Sequence, residues 1–196
     1  MLTRQQVKGR ENIPDQGPLL VLANHLSLVD PPLIGVILGR KAKFMSKKEL
    51  FQSRLSSYIL SKLYAFPVRR EQLDRQALRQ AEKTLADGLA LIMFPEATRS
   101  KNAQLQPAFS GSTLIASRNS VPILPVGITG TEKIRSITGV LHRPRLTINF
   151  GSTFRLPPAN GKLTKKTLDE FTNLIMNHIA ELLPVEYRGN YTGKET

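Results

Sequence analysis

Cysteine is absent from this chain of 196 residues. Its absence excludes disulfide bonds, thiolate metal ligands and a covalent cysteine intermediate. The chain has three histidines, His25, His142 and His178, and none of them stands in a recognisable zinc or iron spacing. We therefore predict that the chain works without a metal.

Long apolar runs are also missing. A membrane-spanning helix needs ~20 apolar residues, and the longest candidate run, Pro31 to Leu38, is far shorter. Residues 1–16 are polar and mixed in charge, unlike a secretory leader. Because 40% of the residues are hydrophobic and fall in regularly interrupted runs, the composition is that of a globular protein. We expect one domain over 1–196, in the cytoplasm and without a transmembrane segment.

Acidic residues are scarce, since 15 Asp and Glu stand against 28 Lys and Arg, for a net charge of +13. The excess is uneven: the segment from Arg40 to Arg70 holds nine basic residues and a single acidic one, Glu49. Such a segment predicts attraction to phospholipid headgroups, nucleic acid or acidic proteins. Nucleic acid is disfavoured because no helix-turn-helix, finger or stacking pattern is present and aromatic residues make up only 6%.

Apolar runs of strand length alternate with helical patterns, which predicts an α/β fold with a mixed, mostly parallel sheet flanked by helices. The predicted strands are Leu19–Asn24, Ala42–Ser46, Leu89–Phe94, Ile123–Gly130 and Arg145–Phe150. The predicted helices begin at Pro31, with Asp30 as N-cap, and cover Glu49–Leu63, Glu71–Asp87, Ser112–Arg118 and Leu168–Leu183, the last within a C-terminal helix at about 164–183. We expect a surface loop over Pro157–Lys166 and a polar, poorly ordered tail over 184–196.

A histidine and a carboxylate stand five residues apart after the first predicted strand, in Asn24-His25-Leu26-Ser27-Leu28-Val29-Asp30. His25 is a candidate general base, and Asp30 would fix its tautomer and stabilise the imidazolium. One loop between a strand end and a helix start can turn both side chains toward a cleft. Asp30 also suits a simple N-cap and Asn24 a turn residue, so the segment alone is weak evidence.

A second polar segment, Phe94-Pro95-Glu96-Ala97-Thr98-Arg99-Ser100, ends another strand-like run. Arg99 can grip a phosphate bidentately, and Glu96 can orient that arginine or accept a hydrogen bond from a substrate hydroxyl. The bland alternative is a surface salt bridge at a strand end. A base with an orienting acid, together with a charged pair for an anionic substrate, is the minimum needed for acyl transfer to a phosphate-bearing alcohol.

In order and wording, these segments resemble the Asn-His-x4-Asp and Phe-Pro-Glu-Gly-Thr-Arg-Ser blocks of the glycerolipid acyltransferases, which include the lysophosphatidic acid acyltransferases. Phe66-Pro67-Val68-Arg69-Arg70 resembles more loosely the block between them. Val121-Pro122-Ile123-Leu124-Pro125-Val126 is similar to a fourth block, and Phe109-Ser110-Gly111 matches a family position that opens a helix. The blocks stand in the family order from about Leu19 to Gly127.

The resemblance implies an enzyme of phospholipid biosynthesis. It would move a fatty acyl group from a thioester, acyl-CoA or acyl carrier protein, to the free hydroxyl of a lysophospholipid, in the first place 1-acylglycerol-3-phosphate. It implies no cofactor beyond the thioester co-substrate, and it implies a peripheral location on the inner face of a membrane. His25 and Asp30 would be catalytic, and the segment Val121–Val126 would shape the acyl pocket. The residues implied in acceptor binding are Arg69, with Arg70 as fallback, Glu96, Thr98, Arg99 and Gly111.

The sequence allows two interpretations both for Ala97 and for the helix Glu49–Leu63. Ala97 stands where the family usually has glycine, and alanine would introduce strain or fill acceptor space if that glycine has a positive φ. This keeps a second hypothesis, an inactive or re-specialised peripheral membrane-binding protein of the same fold. The predicted helix Glu49–Leu63 has an apolar stripe among basic residues, which can lie on an anionic leaflet or pack on the sheet.

Overall fold

The computed structural model describes residues 4–69, 74–134, 144–158 and 163–191. Seven strands form one sheet in the order β1-β7-β6-β2-β5-β3-β4. Strands β6 and β7 pair antiparallel, and the other five neighbouring pairs are parallel. The prediction of a mixed, mostly parallel sheet flanked by helices is thus confirmed. The strands are β1 (Arg4–Lys8), β2 (Leu19–Ala23), β3 (Ala42–Lys47), β4 (Ala65–Val68), β5 (Ala90–Met93), β6 (Ile123–Thr129) and β7 (Arg145–Phe150).

The helices cover both faces of this sheet. Alternate residues of a strand point to opposite faces, so Leu19 and Val21 of β2 pack with one hydrophobic cluster while Leu20 and Leu22 pack with another. The helices are α1 (Asp30–Leu38), α2 (Arg54–Lys62), α3 (Arg75–Ala86), α4 (Gly111–Asn119) and α5 (Lys165–Glu181). The first cluster includes side chains of α1 and α2, and the second includes side chains of α3, α4 and α5.

Strands β1 and β4 were not predicted from the sequence, and both lie at the edges of the sheet. Strand β1 is polar because its residues are largely exposed beside β7, so it lacks the apolar run that marks a buried strand. Strand β4 contains Pro67, which cannot donate a hydrogen bond to a central ladder but is accommodated at an edge. Edge strands therefore lack the signal that identified the five inner strands.

Helix positions are confirmed with shifted ends. The predicted helix Glu49–Leu63 is in fact a 3₁₀ turn at Lys48–Phe51 followed by α2, which Ser53 caps by accepting a hydrogen bond from the Ser56 amide at 3.1 Å. Helix α3 begins after its N-cap Asp74, and residues 70–73 lie outside the described part. The predicted loop 157–166 overlaps the first residues of α5, which begins at Lys165.

The tail is more ordered than predicted up to residue 191. Short 3₁₀ turns cover Val185–Tyr187 and Gly189–Tyr191. Both tyrosines pack against the cluster under α3, α4 and α5, and the Tyr187 carbonyl accepts a hydrogen bond from the Leu105 amide at 2.8 Å. Apolar contact by these tyrosines orders a segment whose composition is mainly polar. Within the described ranges, no helix is both long and apolar enough to cross a membrane.

Candidate active site

Strands β2 and β5 are parallel neighbours, with Leu22 opposite Met93. Because parallel strands end at the same edge of a sheet, the segments that follow them emerge side by side. The histidine segment follows β2 and the Glu96 segment follows β5. The fold therefore brings together two segments that are about seventy residues apart in the sequence.

The histidine and the carboxylate predicted as a pair are in contact. His25 Nδ1 lies 2.9 Å from Asp30 Oδ2, and both side chains are buried. The same oxygen accepts hydrogen bonds from the amides of Leu26 and Ser27, each at 2.7 Å. An oxygen that already accepts two amide hydrogens also takes the Nδ1 hydrogen, so Nε2 is the ring nitrogen left to accept a proton.

Asp30 does not act as the N-cap expected from its place before two prolines. The N-cap of α1 is Val29, and Asp30 is the first residue of the helix, with its carboxylate turned back to the histidine loop. Asn24 likewise is more than a turn residue. Its side-chain NH₂ donates to the Ile128 carbonyl of β6 at 2.9 Å, and its Oδ1 accepts the Ile128 amide at 2.7 Å. These contacts fix the start and the end of the histidine loop.

The Glu96 side chain links its own segment to the backbone of the histidine segment. The side chain is 1% exposed, Oε1 accepts the His25 amide at 2.8 Å, and Oε2 accepts the Gln106 amide at 2.8 Å. The His25 carbonyl in turn accepts the Ser100 amide at 2.8 Å. The second segment thus holds the backbone of His25 on both sides. The structure does not pair Glu96 with Arg99, and it places the carboxylate behind the histidine rather than in the cleft.

Burial shapes the protonation of this carboxylate. Desolvation raises the pKa of Glu96 to about 7, although the two amide hydrogen bonds work in the opposite direction. The nearby Asp30 carboxylate raises the pKa further. Near neutral pH the ionised form therefore carries a desolvation cost that is partly offset by its amide donors.

A pH-dependent stability difference follows from that shift. The folded protein binds this proton up to pH about 7 and the unfolded chain only up to about 4.5, so stability falls as pH rises between those values. We expect wild type to lose roughly 3 kcal/mol of unfolding free energy relative to Glu96→Gln across this window. Urea unfolding of both proteins at several pH values measures the difference. The exposed carboxylate variant Glu170→Gln is the control, and a flat difference for Glu96→Gln would contradict the prediction.

A cavity of about 360 Å³ lies next to the histidine. Phe94 belongs to its wall, and the Phe94 ring stacks on the His25 ring with centroids 4.2 Å apart. Most of the wall is apolar, and the polar part consists of Arg69, Asp74 and the N-terminal residues of α4, among them Gly111 and Ser112. A helix N-terminus and a guanidinium in one wall favour an anionic group, while the apolar remainder suits a hydrocarbon chain.

Arg69 is positioned by the helix that follows it. Its amide donates to Asp74 Oδ2 at 2.9 Å, and the same carboxylate caps α3. The amide hydrogen bonds from Arg69, Ala77 and Gln76 hold the pKa of Asp74 below its usual range. The fallback residue Arg70 lies outside the described residues.

The remaining predicted residues divide between the surface and the core. Thr98 and Arg99 are exposed beside the Glu96 loop and are not among the residues that line the cavity. The segment Val121–Val126, expected to shape an acyl pocket, instead contributes to central strand β6, and its apolar side chains lie in the core. Ser112 and Phe94 were missed, because a buried serine and an aromatic at a strand end give no distinct sequence signal. Among the described residues, no three His, Asp or Glu side chains form a group suited to a metal ion.

Ala97 adopts a positive φ of 55° and forms part of the cavity wall. A positive φ favours glycine, the residue that the resembling family usually has at this position. For an L-residue with a Cβ the left-handed region costs about 1–2 kcal/mol. The site therefore contains a strained residue at the end of the turn from Phe94 to Ala97, which the Ala97 amide closes on the Phe94 carbonyl at 2.9 Å.

Replacing this residue tests whether the strain affects function. We expect Ala97→Gly to raise the free energy of unfolding by about 0.5–1 kcal/mol, because relief of strain exceeds the added flexibility of the unfolded chain. Ala103 has a similar φ of 63° but is not part of the cavity wall, so Ala103→Gly is a matched control. Both variants should gain stability, and only Ala97→Gly should change the KM of a substrate. Equal kinetics in all three proteins would show that the methyl group of Ala97 is irrelevant to binding.

Comparisons with known proteins agree with this geometry. Residues 4–129 match the profile of the Acyltransferase family. A 1-acyl-sn-glycerol-3-phosphate acyltransferase of Bacillus subtilis is 32% identical over 178 residues, which are 90% of this chain and 87% of that protein. A chloroplastic enzyme of the same name from Brassica napus is 31% identical over 134 residues, and the match covers 67% of this chain but only 39% of that protein. The crystal structure of the 1-acyl-sn-glycerophosphate acyltransferase of Thermotoga maritima superposes with a TM-score of 0.68 at 27% identity, covering 92% of this chain and 71% of that one.

Proposed function

This chain belongs to the Acyltransferase family, and from that membership we propose that it acylates the free hydroxyl of a lysophospholipid, 1-acylglycerol-3-phosphate above all. The observation that carries the proposal is the buried His25–Asp30 pair beside an apolar cavity whose wall includes Arg69 and the start of α4. Relatives named for this reaction, at about 30% identity over most of the chain, support the same acceptor.

The chemistry needs one base and no covalent enzyme intermediate. Nε2 of His25 takes the proton of the acceptor hydroxyl as the oxygen attacks the carbonyl carbon of the thioester. The new C–O bond forms, the C–S bond breaks, and the proton passes from the imidazolium to the departing thiolate. Asp30 keeps Nδ1 protonated and stabilises the imidazolium between these two steps.

The cavity offers separate places for the two ends of the acceptor. Arg69 and the start of α4, with Gly111, form the cationic part of the wall and would bind the phosphate. The apolar side chains of the same wall would hold the acyl chain. Arg99 and Thr98 stand exposed next to this site, so we assign them to the approach of the phosphate rather than to its final position. Glu96 positions the His25 backbone.

Three finer points belong to the same proposal. The donor is a long-chain thioester of coenzyme A or of acyl carrier protein, and no other cofactor takes part. A net charge of +13 would favour a carrier protein with an acidic surface. The enzyme works as a peripheral protein at the inner face of the cytoplasmic membrane, where its lipid substrate and product reside.

The test is thiol release from a long-chain acyl-CoA, with and without lysophosphatidic acid, combined with detection of the acylated lipid. Release that requires the acceptor and yields phosphatidic acid supports the proposal. Release without acceptor would instead identify a thioesterase. If acyl-CoA gives no thiol release, acyl carrier protein donors and other lysophospholipids are tested next. Absence of thiol release with all of them would favour the inactive membrane-binding alternative.

A further inference from the structure

Exposed apolar side chains are concentrated at one place on the molecule. Among the described residues, eleven large hydrophobic side chains are exposed, and six of them fall between residues 50 and 64. We call this set the α2 surface. It consists of Leu50, Leu55, Tyr58, Ile59, Leu63 and Tyr64.

Helix α2 presents its apolar side outward. Leu55, Tyr58 and Ile59 lie three and four residues apart, so they share one helix face, and they are 72%, 63% and 48% exposed. None of the nine residues of α2 is buried. A helix that merely covers a sheet has the opposite orientation, with its apolar face inward. An apolar face turned to the outside indicates an apolar partner.

The rim of the α2 surface is cationic. Lys47, Lys48, Arg54 and Lys62 alternate with its residues along the chain, and Glu49, the single acidic residue from Arg40 to Arg69, pairs with Lys47 at 3.8 Å. The Lys62 ammonium lies 5.5 Å from the centre of the Tyr58 ring. Two tyrosines, apolar in the ring and polar at the hydroxyl, suit a boundary between hydrocarbon and water.

A cleft of about 440 Å³ continues this surface toward α1. Its walls combine apolar side chains of α1 with Lys41, Lys62 and Tyr64. Arg40 also lines the cleft, but its guanidinium is committed to backbone carbonyls, among them those of Pro14 and Gly88. The two lysines are therefore the cations that can meet an incoming anionic headgroup, with apolar surface beside them for its chain.

We propose that the α2 surface docks on a phospholipid leaflet that carries anionic headgroups. This docking proposal rests on the proposed function, because an enzyme that acylates a lysophospholipid must take its acceptor from a leaflet. Helix α2 begins after the carboxyl end of β3, the sheet edge of the histidine loop, and ends beside the amino ends of β3 and β4, so the docked surface runs along one face of the sheet. A symmetric contact with a second copy would bring lysine against lysine, and nucleic acid would leave the apolar face uncovered.

Vesicle sedimentation tests this surface without reference to catalysis. The probes are vesicles of phosphatidylcholine alone and of phosphatidylcholine mixed with phosphatidylglycerol. We expect wild type to prefer the anionic vesicles and Leu55→Ser/Ile59→Ser to bind them at least about tenfold more weakly. Lys48→Gln/Lys62→Gln should lose about fivefold per lysine on anionic vesicles. The matched control is Leu174→Ser/Val185→Ser, which removes two exposed apolar side chains elsewhere and should bind like wild type.

Three results would overturn the proposal: unchanged vesicle binding by Leu55→Ser/Ile59→Ser, equal losses in the control variant, or a wild-type dimer that the substitution dissociates while vesicle binding persists. Activity is measured separately with short-chain, monomerically dissolved donor and acceptor, where Leu55→Ser/Ile59→Ser should match wild type. Failure of the acyltransferase assay with intact vesicle binding would contradict the proposed function and leave the α2 surface supported.

Discussion

Replacement of His25 by alanine is expected to lower kcat by about 10²–10⁴-fold, the usual contribution of a general base. The variant keeps the cavity wall, Arg69 and the Glu96 contact, since Glu96 bonds the backbone of residue 25 and not its ring. Acceptor binding should therefore persist while proton removal fails. Steady-state kinetics of thiol release, with lysophosphatidic acid varied, separate the two quantities. An activity within about threefold of wild type would show that His25 is not the base.

A second histidine provides the matched control. His178 of α5 also contacts an aromatic ring, that of Phe154, with centroids 4.1 Å apart and the planes tilted by 30°, and its Nδ1 lies 3.7 Å from the carboxylate of Glu181. His178→Ala therefore removes a ring contact and an acidic neighbour away from the cavity beside His25. We expect full activity in His178→Ala and a smaller loss of stability than in His25→Ala, because the His178 side chain is 35% exposed and that of His25 is buried. Loss of activity in both would point to general destabilisation.

The sequence allowed prediction of the inner strands because burial on both faces leaves continuous apolar runs such as Leu19–Ala23. The edge strands carry no such run, so β1 and β4 were missed. The same limit applied to the tail, where Tyr187 and Tyr191 reach the core through long side chains that a polar composition conceals. An apolar pattern in the sequence reflects burial of the segment. Segments that are only partly buried have too few apolar residues to show the pattern.

Motif spacing predicted the contact of His25 with Asp30 but not the role of Glu96. His25 and Asp30 are five residues apart in one loop, so their contact follows from local geometry. The position of Glu96 depends on the parallel pairing of β2 and β5 and on amides of His25 and Gln106 that any residue type would supply. Backbone donors carry no sequence signal, and for this reason the carboxylate was assigned to the substrate rather than to the loop behind the histidine.

Asp30→Asn is expected to lower kcat by about 10²–10³-fold with little change in acceptor KM. An asparagine oxygen can replace Oδ2 as acceptor for the Leu26 and Ser27 amides, so the loop keeps its shape. The negative charge that stabilises the imidazolium is lost, so the protonated form of His25 becomes less stable and proton removal is slowed. Asp30 acts through His25 and does not touch the substrate, hence the effect belongs to kcat.

Asp30→Ala separates this role from a purely structural one. It leaves two buried amides without an acceptor, and we expect a loss of about 2–5 kcal/mol in the free energy of unfolding. Asparagine should cost much less stability than alanine while costing nearly as much kcat. If instead the two variants lose activity in proportion to their loss of stability, Asp30 only holds the loop. Urea unfolding and steady-state kinetics on the same samples distinguish these outcomes, since the charge of Asp30 matters only once His25 has taken the proton.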